Sequence, residues 1–75
     1  MNLHTTPPGG RARIRRLSGD PAVRERLAEL GLTPGQPVRL LRRAPLGDPV
    51  ELLVRGYRLA VRGDEAAAVE VESGA

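Results

Sequence analysis

The 75-residue sequence contains no cysteine, lysine, tryptophan or phenylalanine, and it has only one tyrosine and one histidine. Without cysteine, neither a disulfide nor a thiolate metal site can form, and such a chain suits a reducing cytoplasm. The sequence shows no charged-then-apolar leader, and no apolar run approaches the length that crosses a bilayer. We therefore expect a cytoplasmic protein without direct membrane insertion.

Groups that perform acid–base or nucleophilic chemistry are also scarce. His4 has no second histidine or cysteine to pair with, and we expect it to be a solvated residue near the terminus. Glu25 and Glu29 lie one helical turn apart, where two surface carboxylates are ordinarily solvated and do not form a metal site. No glycine-rich phosphate loop is present. The sequence therefore predicts no catalytic, cofactor-binding or metal-binding residues, and no enzyme.

Positive charge comes from twelve arginines, and its distribution along the chain is uneven. Residues 1–43 hold nine arginines and three acidic residues, whereas residues 44–75 hold three arginines and six acidic residues. One interpretation is a basic face for an acidic partner or a nucleic acid. The other is that the basic first strand and the acidic last strand lie side by side and cancel, which in a small sheet carries at least equal weight.

One helix is predicted, with both of its ends, in the stretch DPAVRERLAELGLTPG. Asp20 has the chemistry of an N-cap, and Pro21 suits the first helical position because its missing N–H costs nothing there. Gly31 predicts the left-handed residue that ends the helix, with Leu32 folding back onto Leu27. The apolar stripe of this helix comprises Val23, Leu27 and Leu30.

Short segments with alternating apolar residues account for most of the remaining chain. We predict five strands, over residues 11–17, 37–43, 50–54, 57–61 and 69–71. A bulge or the end of the strand is expected at Arg16-Leu17, where the alternation slips, and a single helical turn capped by Asp64 precedes the last strand. Residues 1–9 and 72–75 are expected to be flexible ends of one domain that spans residues 1–75.

Five antiparallel strands in a chain this short would leave two bare edges that invite aggregation, and closure into a small barrel removes them. We therefore predict a mainly β fold: a small SH3-like five-stranded barrel with one short α-helix between strands one and two. The helix would plug one end of the barrel. An unpaired edge near Leu3 would offer a route to self-association.

A binding module is the function class that remains. We predict that the partner docks on the helix-to-strand corner and on residues 42–48, where Arg42 and Arg43 would pair with acidic groups and Leu46 would be an apolar anchor. A second interpretation, in which Leu46 tucks under the barrel, carries equal weight, and the helix leucines fit the core better than a contact surface. The candidate partner-binding residues are Arg26, Leu27, Leu30, Arg42, Arg43, Pro45, Leu46, Gly47 and Asp48.

The alternative function is that of a small basic barrel that binds RNA or DNA. The sequence pI of about 11.0 favours it. Proteins that bind single strands, however, usually stack bases on aromatic side chains, and here only Tyr57 could serve. Nucleic-acid binding therefore ranks below protein binding.

Two strings taken together resemble the FeoA family. They are RLAELGLTPG at residues 26–35 and RRAPLGDPV at residues 42–50, and the PPG at 7–9 and the VEV at 69–71 extend the similarity over nearly the whole chain. The resemblance implies an SH3-like barrel without catalytic activity. It also implies a cytosolic accessory protein of the bacterial ferrous-iron transporter FeoB that acts on the cytosolic part of that transporter. Only the resemblance supplies this partner.

Overall fold

Five strands and two short helices make up the fold, which is known from a computed structural model that describes residues 1–74. In chain order they are β1 (Arg11–Leu17), α1 (Pro21–Glu29), β2 (Pro37–Arg43), β3 (Val50–Val54), β4 (Tyr57–Val61), α2 (Gly63–Ala67) and β5 (Val69–Ser73). The strands form one antiparallel sheet in the order β4-β3-β2-β1-β5. The predicted mainly β fold, with one short helix between the first two strands, is confirmed.

The alternation of the strands divides the sheet into a buried inner face and a solvated outer face. Every second residue of β3 is buried, and β1 and β2 begin with the same pattern. The core consists of Leu3, Ala12, Ile14, Leu27, Leu32, Val38, Leu40, Val50, Leu52, Val54, Val61, Ala66, Val69 and Val71. These side chains are small and aliphatic, so the core depends on the number of buried residues and not on large aromatic rings.

Both predicted ends of α1 are present. The Asp20 carboxylate accepts the N–H of Val23 at 3.0 Å, a cap worth about 1 kcal/mol. At the other end Gly31 has φ +92°, and the N–H of Leu32 donates to the carbonyl of Leu27 at 3.0 Å. Both of these leucines are fully buried, so the end of the helix is fixed by a hydrogen bond and an apolar contact at once.

β1 ends at Leu17, as one of the two alternatives for Arg16-Leu17 predicted, and it also contains a bulge slightly before that position. The register with β5 shifts between Ile14 and Arg16, whereas the sequence indicated Arg16-Leu17. Ile14 and Leu17 both pack on the core, so the extra residue must come from the arginines between them. A second shift, which the sequence did not indicate, lies between Leu40 and Arg42 in the β2–β3 pair.

Residues 1–9, which the sequence predicts to be a flexible end, are attached to the sheet in this structure. Leu3 is fully buried, and its N–H donates to the carbonyl of Val69 at 3.1 Å, while the N–H of Val71 donates to the carbonyl of Met1 at 2.9 Å. The turn-rich composition indicated mobility, but one leucine in the core holds the segment along the outer edge of β5. The edge near Leu3 that would have allowed self-association is therefore used within the chain.

The prediction of a tail from residue 72 onward differs from the structure, where β5 extends to Ser73. Glu72 and Ser73 lie in β5, and the N–H of Gly74 donates to the carbonyl of Arg11 at 3.1 Å. β5 therefore pairs with β1 beyond the last apolar residue of the strand. Residue 75 lies outside the described residues.

The helical turn before β5 is present, but its cap differs from the prediction. The N-cap residue of α2 is Arg62, not Asp64. The side chain of Glu65 folds back and accepts the N–H of Arg62 at 2.9 Å. Glu65 is thereby drawn into the interior, with 6% of its surface exposed.

The two edge strands of the sheet, β4 and β5, contact different parts of the chain. Within residues 1–74 no ladder joins β4 to β5. The N-terminal segment covers β5 through a bridge between Asn2 and Glu70. At the start of β4, the hydroxyl of Tyr57 donates to the carbonyl of Leu30 at 2.7 Å, which ties this strand to the end of α1. In the described chain, neither helix has the length and apolar character needed to span a membrane.

Candidate docking surface

The loop at residues 44–49, between β2 and β3, carries the most exposed large apolar side chain of the described chain. Its base closes where the N–H of Ala44 donates to the carbonyl of Pro49 at 3.0 Å, and its turn closes where the N–H of Gly47 donates to the carbonyl of Ala44 at 2.7 Å. Leu46 stands at the tip of this loop and is 96% exposed. The interpretation in which Leu46 tucks under the barrel is therefore wrong.

The second half of the loop is attached to two other parts of the chain. The carboxylate of Asp48 accepts the N–H of Gly63, at the start of α2, at 3.2 Å. Gly47 lies against His4, because a Cβ at Gly47 would be 3.6 Å from the imidazole Cε1. These contacts hold the base of the loop while its tip, with Leu46, stays in solvent. Asp48 and Gly47, both predicted to bind a partner, thus support the loop from within.

His4 does not have the solvated position that the sequence indicated. It is half-buried beside the loop, and its Nδ1 is shielded from solvent with no hydrogen-bond partner among the described residues. The side chain therefore acts as a packing surface for the loop. This role follows from the burial of the neighbouring Leu3, which anchors the N-terminal segment.

The two arginines that precede the loop have different surroundings. The guanidinium of Arg43 donates to the carbonyl of Thr6, which commits it to holding the N-terminal segment. Arg42 pairs with Glu51 at 3.3 Å, and 60% of the Arg42 side chain is exposed. An exposed pair of this kind contributes only about 0–1 kcal/mol, so a partner carboxylate can replace Glu51. Arg42 is therefore the better candidate for contact with a partner.

The helix-to-strand corner, with Arg26, Leu27 and Leu30, offers a partner less exposed surface than the sequence predicted. Leu27 is fully buried, so its assignment as a contact residue is wrong and its alternative role in the core is confirmed. Leu30 is half-buried against the core. Arg26 pairs with the buried carboxylate of Glu65 at 3.0 Å. The side chains at this corner therefore serve mainly to hold α1 in place.

α2 connects the two predicted parts of the surface, and sequence reasoning missed this role. Its first residue, Gly63, binds the loop through Asp48, and its Glu65 binds α1 through Arg26. The loop and the helix are thus both fixed to one five-residue helix. The signal available in the sequence was the acidic pair Asp64-Glu65 after a strand, which was used only to predict a capped turn.

Charges cancel along one side of the basic strand. Arg16 pairs with Glu70 at 2.9 Å, and Arg13 lies opposite Glu72 in the β1–β5 register. Cancellation between the first and last strands, one of the two interpretations of the charge pattern, is therefore confirmed for the pair of Arg16 and Glu70. Among residues 1–74, no group of three or more His, Asp or Glu side chains is placed so that it could hold a metal ion.

Comparison with known proteins supplies the family. The sequence model of the FeoA domain matches residues 1–73. The FeoA protein of Chlorobium tepidum, solved by NMR, is 41% identical with a TM-score of 0.90, over 100% of this chain and 71% of that one. The zinc complex of Stenotrophomonas maltophilia FeoA, described as a prokaryotic SH3 domain protein, is 32% identical with a TM-score of 0.82, over 96% and 89% of the two chains. The predicted SH3-like fold is thereby confirmed.

A longer relative joins two proteins in one polypeptide. The fusion of Fe(2+) transport protein A and Fe(2+) transporter FeoB from Porphyromonas gingivalis is 37% identical over 72 residues, which is 96% of this chain. The chain spans only 8% of the length of that fusion protein. The match over residues 1–73, the fold and the sequence identities agree, and the chain belongs to the FeoA family, which is linked to ferrous iron transport.

Proposed function

We propose that this protein is a non-enzymatic, cytoplasmic accessory module of a ferrous-iron transport system that docks on the cytosolic part of a FeoB-like transporter. The fusion protein of P. gingivalis supports this partner, because there a region similar to nearly the whole chain is joined to a FeoB transporter. Fusion raises the effective concentration of one module at the other. Where such a module is not fused to the transporter, the same contact requires an affinity of its own, and so a docking surface.

The observation that carries this proposal is the position of Leu46. Single exposed apolar residues are common on protein surfaces, but this one is 96% exposed at the tip of a short, hydrogen-bonded loop. Because the base of the loop is already held by Asp48 and Gly47, binding would cost little ordering entropy. A leucine presented in this way suits a small apolar pocket on the partner.

The surroundings of Leu46 define the chemistry of the complementary surface. Pro45 adds a second exposed apolar residue beside it. Arg42 contributes a positive charge at the base of the loop, and its one ion pair within residues 1–74 is the exposed pair with Glu51. The complementary site on the transporter would therefore combine an apolar pocket with a carboxylate at its rim. In this arrangement the apolar contact provides most of the affinity, and the rim charge mainly increases the association rate.

A titration followed by backbone amide NMR tests the proposal. The labelled chain is titrated with the cytosolic region of the cognate FeoB-like transporter, and separately with a short single-stranded RNA. We expect shifts at residues 42–49 and at α2, with the transporter only. Shifts along β1 with RNA, and none with the transporter, would overturn the proposal in favour of nucleic-acid binding.

A further inference from the structure

Three arginines and one leucine form a row across the outer face of the sheet. Arg11 of β1 lies opposite Arg39 of β2, Arg39 lies opposite Leu53 of β3, and Leu53 lies opposite Arg58 of β4. The three arginines are exposed, and the leucine is half-buried between them. Residues in direct opposition have Cβ atoms about 5 Å apart, so these side chains share one continuous strip of surface.

The positive charge of this row is not compensated within the described residues. None of Arg11, Arg39 and Arg58 forms a salt bridge with a carboxylate in residues 1–74. The contact between Arg11 and Arg39 is the least favourable of the row, because like charges in direct opposition destabilise a sheet. The charge pairing between β1 and β5 at Arg16 and Glu70 therefore does not extend to Arg11 and Arg39, where β1 pairs with β2.

Three residues of this row, Arg11, Arg39 and Leu53, line a groove of about 330 Å³, and Arg58 lies outside it. Pro37 and Leu53 contribute apolar surface to it, and its lining also includes the charged residues Arg11, Arg13 and Arg39. The groove is thus apolar in part and positively charged in part. A ligand that fits it must carry negative charge next to an apolar group.

We infer that this groove binds an acidic segment of a protein, in which an apolar side chain rests on Leu53 and Pro37 while flanking carboxylates pair with Arg11 and Arg39. Arginine suits this role because its planar guanidinium group binds a carboxylate through two parallel hydrogen bonds. Arg13 already donates to the carbonyl of Gly35 at 3.0 Å. Arg13 is therefore held beside Gly35, whereas the side chains of Arg11 and Arg39 have no hydrogen-bond partner within residues 1–74 and can turn toward a ligand.

Protein is favoured over nucleic acid because the groove has no stacking platform. Among residues 1–74 no aromatic side chain lines it, and the hydroxyl of Tyr57 donates to the carbonyl of Leu30 at the end of α1. The groove is also separate from the loop at residues 44–49. Arg39 precedes Arg43, the residue beside the loop, by four positions along β2, which is roughly 13 Å of strand. The inference therefore concerns a second surface and does not depend on the docking proposed above.

The test uses the full chain and a short capped peptide in which glutamates flank one leucine. A peptide with glutamine in place of each glutamate is the control ligand. We expect amide shifts at residues 11–13, 38–39 and 53 with the acidic peptide only, and an affinity that falls as salt is added. Arg39→Gln should weaken binding by about tenfold, as expected when one charged hydrogen-bonding group is lost.

Arg24→Gln is the matched variant, because it removes the same charge from an exposed position on α1. We expect it to change the affinity by less than about twofold. Equal losses in the two variants would overturn the inference, because they would show attraction to net charge without a site. Equal binding of the glutamine peptide, no shifts with either peptide, or shifts at these positions with single-stranded RNA alone would overturn it as well.

Discussion

The guanidinium group of Arg26 lies 3.0 Å from the carboxylate of Glu65, whose side chain is only 8% exposed. The same carboxylate accepts the N–H of Arg62, so it joins α1 to the start of α2. Asp48 joins α2 to the loop at residues 44–49. The helix and the loop are distant in sequence, and they are held in one arrangement through a single buried acid and a single loop carboxylate.

Glu65→Gln should lower the free energy of unfolding by about 1–3 kcal/mol, because it removes the charge of a buried carboxylate that pairs with Arg26. Urea denaturation measures the effect. Glu51→Gln is the comparison, since its pair with Arg42 is exposed and should contribute only about 0–1 kcal/mol. Equal losses in the two variants would show that the pair between α1 and α2 is no stronger than a surface contact.

Leu27→Ala and Leu46→Ala delete the same atoms at opposite extremes of burial. Leu27 is fully buried, and its loss should cost about 2–5 kcal/mol, a large part of the stability of a small domain. Leu46 is 96% exposed, and its substitution should change the free energy of unfolding by less than about 0.5 kcal/mol. Thermal unfolding of both variants checks this. A comparable loss at Leu46 would place that side chain against the protein.

Asp20→Ala should lower the free energy of unfolding by about 1 kcal/mol, because the N–H of Val23 loses its acceptor. Asp20→Asn keeps a side-chain oxygen in the same place and should retain most of the stability. Urea denaturation of the two variants compares them directly. If Asn is as damaging as Ala, the contribution of Asp20 comes from its charge and not from the cap.

Arg39→Gln should stabilise the protein by about 0.2–1 kcal/mol, because it relieves the opposition of like charges with Arg11. The gain should shrink as salt is added. Thermal unfolding at low and high salt measures it, with Arg24→Gln as the comparison. A loss of stability in Arg39→Gln at low salt would mean that Arg39 already has a favourable partner in the sheet.

The elements of this fold could be predicted because their signals are local. Asp20 and Gly31 mark the two ends of α1, and the alternation of single residues marks the strands. In each case the residue that determines an element lies within a few positions of that element in the sequence. Burial of alternate side chains then fixes which face of each strand is inward.

The rest depends on contacts between residues far apart in sequence. Arg11 lies opposite Arg39 because β1 pairs with β2. The alternation of apolar residues within each strand does not indicate which strands pair. Leu3 stands in a turn-rich segment, and only the space available beside β5 determines its burial. For Leu46 the sequence allowed an exposed or a tucked position equally, because a loop with two prolines can present its tip on either side.

The measurement that tests the central claim most directly is the affinity of the cytosolic region of the FeoB-like transporter for Leu46→Asp, compared with the unchanged chain. Ala22→Asp adds the same charge at an exposed position near the start of α1 and serves as the control. If residues 44–49 form the docking surface, Leu46→Asp should bind at least about tenfold more weakly, since the loss of a central anchor costs 2 kcal/mol or more. Its fold and the binding of Ala22→Asp should be unchanged. Full binding by a folded Leu46→Asp variant would contradict the account.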